Sequence, residues 1–106
     1  MKVQIKADGG SRGNPGIAGS GTVLYDASGT VLTSIADYVG TATNNVAEYH
    51  ALLNGLEAAR DLGATEVEVL MDSKLVVEQM SGRWKIKHPD MKELALKAQA
   101  IARDFD

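Results

Sequence analysis

The sequence contains no cysteine among its 106 residues and few aromatic side chains, namely one tryptophan, three tyrosines and one phenylalanine. The absence of cysteine excludes disulfides, zinc–thiolate sites and thiol nucleophiles. No apolar run approaches the roughly 20 residues that span a bilayer, and the first residues alternate at strand period, unlike a signal peptide. We therefore expect a single cytoplasmic domain with no membrane partner.

Basic charge is scarce overall, because 11 Lys and Arg side chains face 14 Asp and Glu side chains, for a net charge of -3. The average conceals a gradient along the chain. Residues 1–73 are strongly acidic, whereas residues 74–97 carry six basic side chains against three acids. Such asymmetry is typical of a nucleic-acid footprint and equally of a solvated helix face. The negative total alone therefore does not exclude a polyanionic partner.

Hydrophobic periodicity divides the chain into strands and helices. Alternation predicts a first strand that ends at Asp8, followed by a turn-rich segment over 9–16. Further strands are predicted at 17–25, 31–39 and 66–71, and helices at 44–62, at 74–80 and from Pro89 onward with an apolar face that reaches Phe105. Gly55, in the middle of the first helix, is predicted to allow close packing of that helix on the sheet.

The order of these elements predicts an α/β (α+β mixed sheet) fold. The first three strands form an antiparallel meander, and the fourth follows a helical crossover of about twenty residues, a length suited to parallel pairing. The simplest position for the fourth strand is beside the first.

Three carboxylates fall where this topology brings chain segments together. Asp8 and Asp72 each follow an apolar strand, and parallel pairing of those strands would set them side by side. Taken singly, Asp8 suits a turn and Asp72 a helix start. Glu48, one turn into the first helix, lies near the stripe that should face the sheet, where an acid is costly unless paired or bound to a metal. Because no basic residue accompanies them, we expect a hard cation, Mg²⁺ or Mn²⁺.

The motifs around these acids resemble those of type 1 ribonuclease H over nearly the whole chain. They are DGGSRGNPG at 8–16, TNNVAE at 43–48 and Asp72-Ser73, in the order of that family. The resemblance implies a ribonuclease H-like fold and an endoribonuclease that hydrolyses the RNA strand of RNA/DNA hybrids, leaving 5′-phosphate and 3′-hydroxyl ends. It makes Asp8, Glu48 and Asp72 the catalytic ligands of two Mg²⁺ ions, for which Mn²⁺ is a possible substitute.

The same resemblance implies a set of substrate contacts. The amides of Asn14, Asn44 and Asn45 can both donate to and accept from the 2′-hydroxyl that distinguishes RNA from DNA. Gly9 lets the backbone approach the sugar-phosphate chain, and Thr43 with Asn45 resembles the pair that holds a phosphate of the DNA strand. Contacts of this kind follow the backbone and groove, so little base-sequence preference is expected.

A short basic connector follows the second helix at 83–88, with the sequence RWKIKH. One interpretation is that Arg83 and Lys85 bind phosphates of the DNA strand. The other is a solvated connector with Trp84 packed on the core. Some relatives carry a much longer basic protrusion here, so substrate affinity is expected to be weaker or to come from another domain.

The family normally continues with a fifth strand, a loop bearing a histidine and a final helix that supplies a fourth carboxylate. These elements are missing from residues 1–106, so the domain is either a degraded relative or the N-terminal domain of a longer chain, with a phosphatase-like fusion as one precedent. We favour the longer chain because the three carboxylates and the asparagines are intact. The rival function is a non-catalytic module that binds RNA/DNA hybrids. A third, an integrase-like polynucleotidyl transferase, is disfavoured by the asparagines.

Overall fold

A four-stranded mixed sheet forms the centre of the computed structural model, which describes residues 1–13, 16–82, 85–86 and 89–105. The strands are β1 (Lys2–Gly13), β2 (Gly16–Tyr25), β3 (Val31–Ala42) and β4 (Glu66–Leu70), in the spatial order β3-β2-β1-β4. β1 pairs antiparallel with β2 and parallel with β4. The antiparallel meander and the parallel fourth strand are therefore confirmed.

Three helices follow the meander: α1 (Asn44–Asp61), α2 (Lys74–Met80) and α3 (Pro89–Ala102). α1 is capped by the Thr43 hydroxyl, which accepts a hydrogen bond from the Val46 backbone N–H at 3.3 Å. Ser73 caps α2 in the same way. The chain leaves α1 through Gly63, whose φ of +81° is favourable only for glycine. None of the helices in the described parts of the chain is long and apolar enough to cross a membrane.

The hydrophobic core lies between α1 and one face of the sheet. Alternation in β1 turns Val3, Ile5 and Ala7 toward the helix, and all three are buried. Gly55 allows this close contact, as predicted, because a Cβ there would lie 2.6 Å from the Cγ2 of Ile5. α3 adds Ala95, Ala98 and Ile101 to the same core.

Four predicted strand boundaries are wrong, and one of them is the start of β2, which lies at Gly16 and not at residue 17. β1 does not end at Asp8 but continues to Gly13, because every residue from Asp8 to Gly13 has a partner in β2. β3 likewise runs past residue 39 to Ala42, which pairs with Gly16. β4, by contrast, ends at Leu70, one residue earlier than predicted. Glycine-rich composition suggested a long turn, whereas two glycine-containing strands pair as far as Gly13 and Gly16.

Candidate active site

Asp8 and Asp72 lie abreast at one end of the sheet because of the parallel register of β1 and β4. Lys6 pairs with Leu70 in that register, and the two aspartates each follow two residues later. Both are exposed to solvent. The β1–β4 pairing expected from the sequence therefore sets two carboxylates at the same edge.

Glu48 reaches this edge from the second turn of α1 and contacts Asp8. The Gly9 backbone N–H faces the Glu48 carboxylate and favours its charged form, whereas the adjacent Asp8 carboxylate disfavours that form. Its Oε2 is buried and has no hydrogen-bond partner among the described residues. Burial raises the pKa of Glu48; the Gly9 N–H opposes this, and the charges of Asp8 and Asp72 add to it.

Close packing of the backbone brings Glu48 into this position. A Cβ at Gly9 would collide with the carbonyl group of Ala47 and lie 2.6 Å from the backbone nitrogen of Glu48. Gly10, the next residue, has nothing within 4 Å of the corresponding point. The missing side chain of Gly9 is therefore what lets the first turns of α1 approach β1, in addition to any contact with a substrate.

The donor chemistry of the site suits a hard cation, because all three acids offer carboxylate oxygens and one of these oxygens is buried without a donor. Within the parts of the chain that the structure describes, however, no three His, Cys, Asp or Glu side chains come close enough together to hold one ion. Asp8 and Glu48 are in contact, while Asp72 acts on Glu48 through its charge. The structure thus brings two carboxylates into contact and places the third near them.

The asparagine pair predicted to contact substrate begins α1 beside this site. The Oδ1 of Asn44 accepts a hydrogen bond of 2.7 Å from the Ser11 backbone N–H, which ties the far end of β1 to the helix start. Asn44 is exposed and Asn45 is half-buried. Thr43 is half-buried and uses its hydroxyl as the helix cap. The sequence did not predict that Ser11 would bind Asn44, because almost any residue type can donate through its backbone N–H.

Beside Asp8, an open groove runs over the sheet face opposite α1. Small residues form much of its floor, and Arg12, Ile17 and the strongly exposed Tyr38 border it. Asn14 and Arg83, two of the predicted substrate contacts, lie outside the described residues. Lys85 is described and its side chain is exposed.

Comparison with protein families and with known proteins gives consistent matches. A family model described as reverse transcriptase-like matches residues 6–106. The chain is 63% identical over 106 residues to the "Bifunctional protein Rv2228c" of Mycobacterium tuberculosis, a match that covers 99% of this chain and 29% of that protein. The chain thus spans less than a third of the length of this curated relative.

Two solved structures resemble the fold closely. RNase H1 from the halophilic archaeon Halobacterium salinarum superposes with a TM-score of 0.95 at 42% identity, covering 100% of this chain and 80% of that one. LC11-RNase H1, solved in complex with an RNA/DNA hybrid, superposes with a TM-score of 0.90 at 45% identity, covering 97% of this chain and 78% of that one.

Proposed function

The chain belongs to the type 1 ribonuclease H family, and on that premise we propose that it hydrolyses the RNA strand of RNA/DNA hybrids. The observation that carries the proposal is the contact between Asp8 on β1 and Glu48 on α1, with Asp72 alongside. A carboxylate oxygen buried without a donor is an unfavourable arrangement that a bound cation would relieve. The relative solved with an RNA/DNA hybrid supports the substrate class.

The three carboxylates would hold two Mg²⁺ ions, with Mn²⁺ as a substitute. Bound there, the ions would supply a nucleophilic water and stabilise the departing 3′-oxygen, giving 5′-phosphate and 3′-hydroxyl ends. Glu48 must lose its proton to serve as a ligand, and the Gly9 N–H favours that ionised form. Asp8 and Asp72, both exposed, would complete the oxygen ligands offered by this chain.

Selection of RNA would come from the amides at the start of α1. Asn44 is held by the Ser11 backbone, and Asn45 follows it on the first turn. We propose that these residues, together with Asn14, contact the 2′-hydroxyls of the RNA strand in the minor groove. Thr43 and Asn45 would contact a phosphate of the DNA strand. None of these contacts reads base edges, so we propose cleavage with little sequence preference.

We further propose that residues 1–106 act as one domain of a longer polypeptide. The relative named as bifunctional is more than three times as long as the matched region. In the described part of the chain β4 pairs with β1 alone, and Leu70 and Val77 beside it are 43% and 42% exposed. A further strand on this edge and a helix bearing a fourth carboxylate would cover these groups and complete the ligands.

The decisive experiment is a cleavage assay on labelled RNA/DNA hybrid with Mg²⁺, using the full-length protein and its Asp72→Asn variant. Loss of one ligand should lower the rate by about 100-fold or more, since metal catalysis contributes several kcal/mol. Equal cleavage by both proteins would contradict the assignment of Asp72. Hybrid binding without any cleavage would favour a non-catalytic binding module, and cleavage of duplex DNA with hybrid spared would favour an integrase-like transferase.

A further inference from the structure

A buried polar pair joins α1 to α2 directly behind the site. The Tyr49 hydroxyl donates a hydrogen bond of 2.6 Å to the Oε1 of Gln79. Tyr49 is fully buried and Gln79 is only 4% exposed. Burial raises the pKa of Tyr49 to about 12, so the hydroxyl is protonated and able to donate at neutral pH. Tyr49 immediately follows Glu48, and the pair therefore begins at the helix turn that carries a proposed metal ligand.

The second hydrogen bond of Gln79 reaches the basic connector. Its Nε2 donates to the backbone carbonyl of Lys85 at 3.3 Å. The next residue, Ile86, packs against the hydrophobic core. The connector is thus attached to the domain at 85–86 by one polar and one apolar contact, and the polar one leads through Gln79 to Tyr49.

Stability alone does not account for this arrangement. Burying a phenol and an amide imposes a desolvation cost that their hydrogen bonds only offset, and two apolar side chains of similar size would fill the same space. Apolar side chains, however, would provide no donor for the Lys85 carbonyl. The specific consequence of having Tyr49 and Gln79 here is the hydrogen bond that holds the backbone of Lys85.

Lys85 carries a positive charge at the point where its backbone is held. Residues 83–88 contain three basic side chains and no acid. The Lys85 side chain is exposed, and no carboxylate of the described residues forms an ion pair with it. An exposed ammonium group on a hydrogen-bonded backbone, with no ion pair to any described residue, suits contact with a phosphate.

We propose that Tyr49 and Gln79 are positioning residues for substrate binding, which hold the connector so that Lys85 contacts a backbone phosphate of the RNA/DNA hybrid. This inference rests on the proposed function. Neither residue touches the substrate, and both act through the backbone of Lys85. Their loss therefore weakens binding and leaves the chemical step unchanged.

A double-mutant cycle between Tyr49→Phe and Lys85→Ala in the full-length protein tests this coupling. Tyr49→Phe keeps the ring and removes the hydroxyl, so KM for hybrid cleavage should rise about two- to tenfold, the range expected for one hydrogen bond, with kcat unchanged. Lys85→Ala should raise KM similarly and lower the salt dependence of binding by about one phosphate contact. In the Lys85→Ala background, Tyr49→Phe should add nothing. Hydrogen exchange at the Ile86 amide should become faster in Tyr49→Phe.

The matched control is Thr22→Val, which removes another buried hydroxyl. Thr22 is 1% exposed and donates to the Ala51 carbonyl at 2.8 Å, between β2 and α1 and without contact to the connector. This variant should leave KM unchanged. Additive effects of Tyr49→Phe and Lys85→Ala, or the same KM rise in Thr22→Val, would overturn the positioning role. A wild-type protein that neither binds nor cleaves hybrid would instead overturn the proposed function, whatever the exchange rate at Ile86.

Discussion

The two halves of the carboxylate site are built differently. In the β1–α1 half, Asp8 and Glu48 are in contact; β1 is paired with a strand on each side, and α1 packs in the hydrophobic core between the sheet and α3. In the β4–α2 half, Asp72 follows a strand of only five residues that pairs with β1 alone in the described part of the chain. Two backbone N–H groups of β1 also face α1: that of Ser11 donates a hydrogen bond to Asn44, and that of Gly9 faces the Glu48 carboxylate.

The polypeptide itself therefore positions Asp8 and Glu48, whereas the final position of Asp72 is left to be set by a bound ligand. The backbone contacts of the β1–α1 half hold the Asp8 and Glu48 carboxylates together, and the pKa of Glu48 is raised first by burial and then by the neighbouring charges of Asp8 and Asp72. Asp72 contributes to that raised pKa from a less constrained position. We therefore expect the β1–α1 half to respond to steric changes and the β4–α2 half to respond to changes in local stability.

The largest effect is expected from Gly9→Ala, compared with Gly10→Ala. The new methyl group at Gly9 would collide with the backbone of Ala47, which cannot move without displacing α1. The free energy of unfolding should fall by about 3 kcal/mol, the upper part of the range for overpacking, with cleavage activity lost. At Gly10 nothing lies within 4 Å, so the change should stay within about 0.5 kcal/mol. Denaturant unfolding of both variants measures the difference. Equal losses in the free energy of unfolding for Gly9→Ala and Gly10→Ala would contradict a special role for the close approach of β1 and α1 at Gly9.

Substitution of Glu48 should separate stability from function. Burial and neighbouring charges raise the pKa of Glu48, so its contribution to the stability of the metal-free protein is present at low pH and lost as pH rises through that raised pKa. Glu48→Gln should therefore make the metal-free protein more stable than wild type at pH 8. At pH 4 the gain in stability should be smaller. The gain should be about 0.5–2 kcal/mol at pH 8.

Addition of Mg²⁺ should reverse that order. At 100 times its Kd, the ion should stabilise the wild-type protein by about 2.7 kcal/mol, and Glu48→Gln should gain little of this. Thermal unfolding of both proteins at pH 4 and pH 8, with and without Mg²⁺, measures the stability difference between them under all four conditions. A Glu48→Gln variant that is less stable than wild type at pH 8 without metal would contradict the unfavourable burial of this carboxylate.

Much of the fold was predictable because local periodicity and connection length both point to it. Alternation identified the strands, and the length of the crossover predicted the parallel pairing that places Asp8 beside Asp72. The ends of β1 and β3 were missed because Gly9 to Gly13 and Gly40 disfavour strands locally, whereas pairing with β2 holds them extended. Local propensity does not include the effect of a partner strand that lies elsewhere in the sequence.

The candidate side chains of the site could be chosen from the sequence, whereas its backbone contacts could not. The acids became candidates through their residue type and their positions at strand and helix ends, and the asparagines through the resemblance of their motifs to type 1 ribonuclease H. The donors from Gly9 and Ser11, and the link from Tyr49 through Gln79 to Lys85, depend on where main-chain groups meet in three dimensions. Such main-chain contacts between distant segments cannot be predicted from a residue pattern in a single sequence.

The two helix caps offer the finest comparison between the halves. Thr43 caps α1 and Ser73 caps α2 through the same hydrogen bond, 3.3 Å long in each case. Replacing either by Ala should cost about 1 kcal/mol. Because α1 belongs to the main core, Thr43→Ala should lower the free energy of global unfolding. α2 has only seven residues and follows the edge strand, so Ser73→Ala should accelerate hydrogen exchange about fivefold in α2 and leave the slowest amides of α1 unchanged. Equal acceleration throughout both helices would mean that the two halves unfold as one unit, and that the position of Asp72 is as firmly held as that of Glu48.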